Sequence, residues 1–207
     1  MMSVTEMMRM NSLRVALQLG YPINDNLPLR NLSVVRSLDD VGDRMLSLTG
    51  VLAAAFGYPR QQAVAWLRAV EATPALTQTE TNFLTLGGSP EVFHDQVDAM
   101  FALAWATNLV PTFSYSTDTP SDLVRRFPDL ASGSSAKPFR EKLCFRPSEE
   151  ILGMLDIAYC LHWAVRDAVV SGRPPAGVLH PASIVERRRG LEWLTTNESW
   201  DELSLDT

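Results

Sequence analysis

Apolar residues recur at spacings of three and four along most of the chain, which is the pattern of amphipathic helices. The clearest case starts at Ser37, with Asp40 three positions later as a variant of the capping box, and closes at Gly57. Its apolar face is a regular series of side chains: Val41, Met45, Leu48, Leu52 and Ala55. These features predict a helix between Ser37 and Gly57.

Similar signals predict further helices in the first half of the chain. The opening helix ends at Gly20, and its expected apolar face consists of Met7, Met8, Val15 and Leu19. Capping and helix-breaking residues bound three more predicted helices, the first of which opens at Pro59. The second is capped by Thr77 with Glu80 and ends at Gly87-Gly88. The third opens at Ser89-Pro90 and stops near Asn108.

The last third of the chain predicts two helices separated by a Pro/Gly break. Ser148 is the expected N-cap of the first helix, Gly172 follows its last periodic residue, and Pro181 fits the first position of the second. Convincing alternation with a period of two, the mark of a half-buried strand, does not occur. We therefore predict an all-α protein, a single-domain bundle of about seven helices over residues 1–207.

Residues 112–143 break this pattern. Ser, Thr, Asp, Pro and Gly dominate there, and the Ala-Ser-Gly-Ser-Ser run at 131–135 is typical of a flexible loop. One short helix is expected after the Thr-Pro-Ser-Asp run at 119–122. Loops of this length are often either functional or disordered, and the sequence leaves both alternatives open for this irregular, polar insertion.

The final third also places charged and polar side chains on otherwise apolar helix faces. His162 and Arg166 are one turn apart and can share a carboxylate. At least one of three consecutive arginines at 187–189 should face the core. The candidate cluster comprises Asp156, His162, Arg166, Asp167, Glu186, Arg187 and Asp206. Such residues either form an ion-pair network that fixes helix packing, which we favour, or perform acid–base chemistry or bind an anionic small molecule.

The same stretch resembles a known family. The residues that carry the resemblance are the Asp-Ile-Ala-Tyr-Cys-Leu-His-Trp-Ala-Val-Arg-Asp run at 156–167, the Glu-Arg-Arg-Arg-Gly-Leu-Glu-Trp-Leu run at 186–194, and the ending Trp200-Asp201 with Asp206-Thr207. They are similar to the domain of unknown function 4272 family, with looser similarity upstream and none at 112–143. The resemblance implies a helical protein and brings no reaction and no catalytic residues.

Charge and motif content narrow the function classes. The chain has 18 basic and 24 acidic residues and a net charge of −6, which argues against nucleic acid or an anionic membrane as the main partner. No phosphate-binding loop or zinc-ligand spacing occurs, and the His94–Asp98 pair offers too few ligands for a metal, so no cofactor or metal is expected. The first 20 residues lack the features of a signal peptide, and we expect a cytoplasmic protein.

Two hypotheses of function follow. The first is a non-catalytic protein-binding module, specifically an immunity-type protein that neutralises a basic bacterial toxin or effector; the sequence does not predict its oligomeric state. Its candidate docking residues form three acidic clusters: Asp39, Asp40 and Asp43; Glu91, Asp95 and Asp98; and Glu198, Asp201 and Glu202. The alternative is an enzyme or small-molecule-binding protein that uses the polar cluster around Asp156, His162, Arg166, Glu186 and Arg187.

Overall fold

The computed structural model describes residues 2–207. They contain seven α-helices of nine or more residues, two single-turn α-helices and two 3₁₀ turns. The helices are α1 (Val4–Gln18), α2 (Leu38–Ala55), α3 (Arg60–Ala69), α4 (Gln78–Leu86), α5 (Glu91–His94), α6 (Gln96–Ala106), α7 (Lys137–Arg140), α8 (Ser148–Val170) and α9 (Pro181–Trp193). Strands are absent from the described residues. The predicted all-α bundle is confirmed.

Local capping signals place several helix starts correctly. Ser37 Oγ accepts a hydrogen bond from the Asp40 backbone N–H at 3.1 Å, and the Ser37 N–H donates to the Asp40 carboxylate at 3.0 Å. Thr77 and Glu80 form the equivalent box at the start of α4. Both boxes satisfy backbone donors that the first helical turn leaves free.

Two details of the predicted helices are wrong. Ser148 is the first residue of α8 and not its cap, because the extended backbone of Pro147 (φ −48°, ψ 135°) already occupies the N-cap position. In α1 the buried residues are Arg9, Ser12 and Ala16, whereas Met7 is 52% exposed. Val15 and Leu19 pack against an apolar cluster as predicted, but Met7 faces solvent and a charged side chain, Arg9, points into the protein.

Helix α9 lies between α6 and α8. On one side α6, buried along almost its whole length, joins α2 and α3 in the main hydrophobic core. On the other side α8 packs against α1, and a second apolar cluster that includes Ala16, Ile157, Leu161 and Ile184 fills the space between them. This arrangement places the polar residues of α9 in the middle of the molecule.

The contact between α6 and α9 depends on a glycine. A Cβ atom at Gly190 would lie 2.6 Å from the Ala99 carbonyl oxygen and 3.0 Å from Ala102 Cβ. Both distances are shorter than van der Waals contact, and the nearer atom belongs to the backbone of a buried helix. Gly190 thus sets how closely the two helices approach.

Segment 112–143, for which the sequence left open a functional or a disordered loop, folds back over the main core. It contributes buried side chains at Leu123, Phe127, Leu130 and Phe139, and it contains a 3₁₀ turn at Leu123–Arg126 besides α7. The Trp66 indole N–H donates to the Ser134 carbonyl oxygen at 3.3 Å. The segment therefore forms one wall of the bundle without being largely helical.

Between residues 2 and 207, no helix combines the length and the apolar character needed to cross a bilayer.

We expect Gly190→Ala to lower the free energy of unfolding by about 1–3 kcal/mol, because the added methyl group forces α6 and α9 apart. Gly153→Ala is the matched control, since a Cβ at Gly153 in α8 meets no atom within 4 Å. That substitution should raise stability by about 0.5–1 kcal/mol through helix propensity. Urea denaturation of both variants measures the difference, and equal effects would contradict the proposed close contact.

Candidate functional site

Two consecutive arginines of α9 define the polar interior of the protein. Arg187 is 0% exposed and Arg188 is 2% exposed. Consecutive residues of a helix point about 100° apart. The two side chains therefore enter different regions of the core, and each has its own set of partners.

Arg187 points toward α6 and the 112–143 segment. Its Nε donates to Asp98 Oδ1 at 2.8 Å, and its guanidinium also contacts the Ser114 carbonyl oxygen and Thr119 Oγ1. The Thr119 hydroxyl in turn donates to Asp98 Oδ1 at 2.7 Å. This group links α9, α6 and the irregular segment through one buried ion pair.

Arg188 points toward α8 and the end of the chain. It donates to His162 Nδ1 at 2.8 Å and forms an ion pair with Glu192, whose nearer oxygen lies 3.2 Å from Arg188 Nε. Its remaining donors reach the backbone carbonyl oxygens of Leu205 at 2.9 Å and Asp206 at 3.0 Å. Arg188 therefore fixes the C-terminal tail to the helices.

The Tyr159 ring of α8 lies among three arginines. The guanidinium carbons of Arg9, Arg30 and Arg188 lie 5.5, 4.3 and 4.9 Å from the ring centroid. Ion pairs compensate this charge: Asp156 pairs with Arg9 at 2.8 Å, and Glu192 pairs with Arg30 at 2.6 Å. The aromatic face and the two carboxylates together make it possible to bury Arg9 and Arg188 and to half-bury Arg30.

Burial also changes the protonation of groups in this region. Desolvation, reinforced by the neighbouring Arg188 and Arg166 guanidinium groups, lowers the pKa of His162 to about 4. The imidazole is therefore neutral near pH 7, as its role of accepting a hydrogen bond from Arg188 requires. Burial raises the pKa of the Cys160 thiol to about 12, so this cysteine is an unreactive core residue.

The structure does not bring the seven predicted cluster residues into one site. Arg166 is exposed and shares no carboxylate with His162, because it points outward from α8. Asp167 pairs with Arg173, and Glu186 pairs with Arg189 at 3.0 Å rather than with Arg187. Burial raises the pKa of the Glu186 carboxyl.

The Asp206 carboxylate lies outside the buried network, so its predicted place in the cluster is wrong. The carboxylate accepts a hydrogen bond from the Ser204 hydroxyl, and only the backbone carbonyl of Asp206 reaches the buried network. The network also contains Arg9, Arg30, Asp98 and Glu192, of which the predicted cluster includes none. Arg9 lies on the same face of α1 as Ser12 and Ala16, and this helical spacing is the sequence feature from which the burial of Arg9 could have been predicted.

Of the three predicted acidic clusters, two lie together. Asp40 and Asp43 from α2 and Glu198, Asp201 and Glu202 from the tail line one groove of about 710 Å³, with Asp39 exposed on the same helical turn. Asp40 caps α2, and Asp43 pairs with Arg140. The three tail carboxylates accept hydrogen bonds from Ser or backbone N–H donors and form no ion pair within residues 2–207.

The floor of this acidic groove is aromatic. Trp193 and Trp200 meet edge to face, with ring centroids 5.7 Å apart. Arg36 lies 4.3 Å over the Trp193 ring and Arg44 lies 4.7 Å over the Trp200 ring. These contacts hold the tail against α2 and α9, so the groove has a rigid base.

One of the three residues in the remaining predicted cluster is not available for docking. Asp98 is 7% exposed and occupied by Arg187, so its assignment to a surface patch is wrong. Its predicted partner His94 instead stacks on Phe56, with ring centroids 4.6 Å apart. Glu91 and Asp95 are exposed. Two carboxylates thus remain on this surface.

Comparison with known proteins places the chain in a family. The model described as domain of unknown function, DUF4272, matches residues 9–203. The chain belongs to the DUF4272 family. No curated protein and no solved structure matches it. The DUF4272 match begins at the buried Arg9 and includes all residues of the network except the tail carbonyls of Leu205 and Asp206.

Among residues 2–207, no three His, Cys, Asp or Glu side chains are grouped so that they could hold a metal ion. The expectation that the protein uses no cofactor stays a prediction.

We predict that Arg188→Met lowers the free energy of unfolding by about 3 kcal/mol, because Glu192, His162 and two tail carbonyls lose their buried partner. Arg173→Met is the control: its ion pair with Asp167 is largely solvated, and its loss should cost less than about 1 kcal/mol. Urea denaturation measures both values. Similar effects for the two arginines would contradict the central role of Arg188.

Stability should also fall at acidic pH through His162. Its unfolded pKa is near 6.5 and its folded pKa is about 4, so only the unfolded state binds a proton between these values. The wild type should therefore lose about 2 kcal/mol more than His162→Gln between pH 7 and pH 4.5. Glutamine keeps an acceptor for Arg188 but does not titrate. Parallel stability curves for the two proteins would refute this prediction.

Proposed function

We propose that this DUF4272 protein is a non-catalytic protein-binding module whose acidic groove binds a basic protein. The observation that carries the proposal is the convergence of Asp40 and Asp43 with Glu198, Asp201 and Glu202, residues from opposite ends of the chain, around one groove. Carboxylates grouped at a concave surface raise the local concentration of cationic groups and accelerate their association.

The form of the groove supports a macromolecular partner. The tail carboxylates are exposed and free of ion pairs within residues 2–207, so their charge is available to a partner. The aromatic floor of Trp193 and Trp200 fixes the backbone that carries them. A preorganised, charged surface loses little conformational entropy on binding.

We further propose that the partner is a basic toxin or effector and that the protein is of the immunity type. The net charge of −6 and the acidic groove support this finer assignment, since inhibitors of basic proteins use such surfaces. Inhibition by binding needs a rigid surface and no reactive group. In this proposal the protein acts in the cytoplasm, on a toxin that reaches that compartment.

The test uses the product of the neighbouring gene as the candidate toxin. Co-expression should restore growth, and stopped-flow binding should show association that slows as salt rises. The double variant Asp201→Lys/Glu202→Lys should slow association about tenfold at low salt. The control Asp25→Lys/Asp118→Lys changes the net charge equally at exposed sites outside the groove.

Two outcomes would contradict the proposal. One is absence of both binding and growth rescue with the neighbouring gene product. The other is equal slowing by the two double variants, which would show that net charge and not the groove determines association.

A further inference from the structure

A cavity of about 720 Å³ lies between α2, α6 and the 112–143 segment, away from the acidic groove. The two sites share no lining residue. Its floor consists of buried side chains, among them Leu52, Met100, Leu123 and Phe127. At its mouth Phe56 is 64% exposed and Val124 is 65% exposed. The cavity thus leads from an apolar rim into the main core.

The outer wall of this cavity is held at both ends. Near one end, Thr119 is hydrogen-bonded to Asp98 at 2.7 Å and is contacted by Arg187. Near the other, the Ser134 carbonyl oxygen accepts a hydrogen bond from Trp66. Between these points Leu123, Phe127 and Leu130 are buried. The cavity is therefore a built feature of the fold.

The chemistry of the lining indicates what kind of molecule fits. The lining carries one cation and one anion, Arg125 and Asp129, and both are exposed. The hydroxyl groups of Thr49 and Thr119 already donate to the Met45 carbonyl oxygen and to Asp98. A charged ligand would lose its hydration without gaining a buried counter-ion, whereas an apolar ligand gains from burial.

We propose that this cavity binds an uncharged, predominantly apolar small molecule. The volume lies within the range of about 300–1,000 Å³ that is typical of small-molecule sites. Apolar side chains at the floor and rim supply the binding energy, and the opposite charges of Arg125 and Asp129 favour a neutral occupant. This inference is independent of the acidic groove.

Two dyes that differ in one charged group test the ligand class. N-phenyl-1-naphthylamine is uncharged, and 8-anilinonaphthalene-1-sulfonate carries a sulfonate on the same aromatic frame. Titration of the folded protein should give saturable, one-to-one fluorescence enhancement with the neutral dye and at least about tenfold weaker binding of the sulfonate. Non-saturable binding of the neutral dye, or equal or tighter binding of the sulfonate, would overturn the proposal.

Paired substitutions locate the bound dye. Ala53→Trp fills the cavity from a half-buried position on α2 and should weaken binding of the neutral dye about tenfold. Ala65→Trp adds the same side chain at an exposed position of α3 outside the cavity and should leave the affinity unchanged. Equal effects of the two substitutions would place the dye elsewhere.

A second pair of substitutions tests the same site in case Ala53→Trp fails to fold. Val124→Asp places a charge at the rim, and Val178→Asp places one at a comparably exposed valine, 74% exposed, in the loop before α9. Only the first should weaken dye binding. If affinity instead falls as protein concentration rises and sedimentation shows dimers, a second copy of the chain occupies the site and the small-molecule proposal is wrong.

Discussion

Burial of two adjacent guanidinium groups on α9 is the constraint on which the structure depends. A buried cation is tolerated only when carboxylates and hydrogen-bond acceptors replace its water, and removal of a partner leaves a costly uncompensated charge. Arg187 and Arg188 meet this requirement with acceptors from α6, α8, the 112–143 segment and the tail. These parts of the chain must therefore converge on α9, and most other packing follows.

The need of buried arginines for carboxylate partners also determines where uncompensated negative charge lies. Asp98, Asp156, Glu80 and Glu192 each lie beside a buried or half-buried arginine, so their charge is compensated inside the protein. The excess of acidic residues consequently lies at the surface, where the tail carboxylates of the acidic groove have no such partners. The groove's electrostatic character is thus linked to the pairing in the core.

Local signals were sufficient to predict the seven longer helices, and long-range contacts explain what those signals missed. Capping at Ser37 and Thr77 involves residues three apart, and the helical period around Arg187–Arg189 indicated that a charge must enter the core. Asp98, however, lies 89 residues from Arg187, and Asp156 lies 147 residues from Arg9. No spacing within one helix encodes such pairs, because they arise only when α6 and α1 pack beside α9 and α8.

Long-range contacts that the local sequence does not predict also hold segment 112–143 in place. They determine how the two proposed sites are related. Its composition indicated a loop, yet Thr119 joins the Asp98–Arg187 pair and thereby holds one wall of the apolar cavity. The neighbouring Arg188 holds the tail that carries the acidic groove. A ligand in the cavity can change binding at the groove only if it favours one arrangement of α9 over another. The tight packing of α9 at Gly190 resists such movement, so the two sites should act independently.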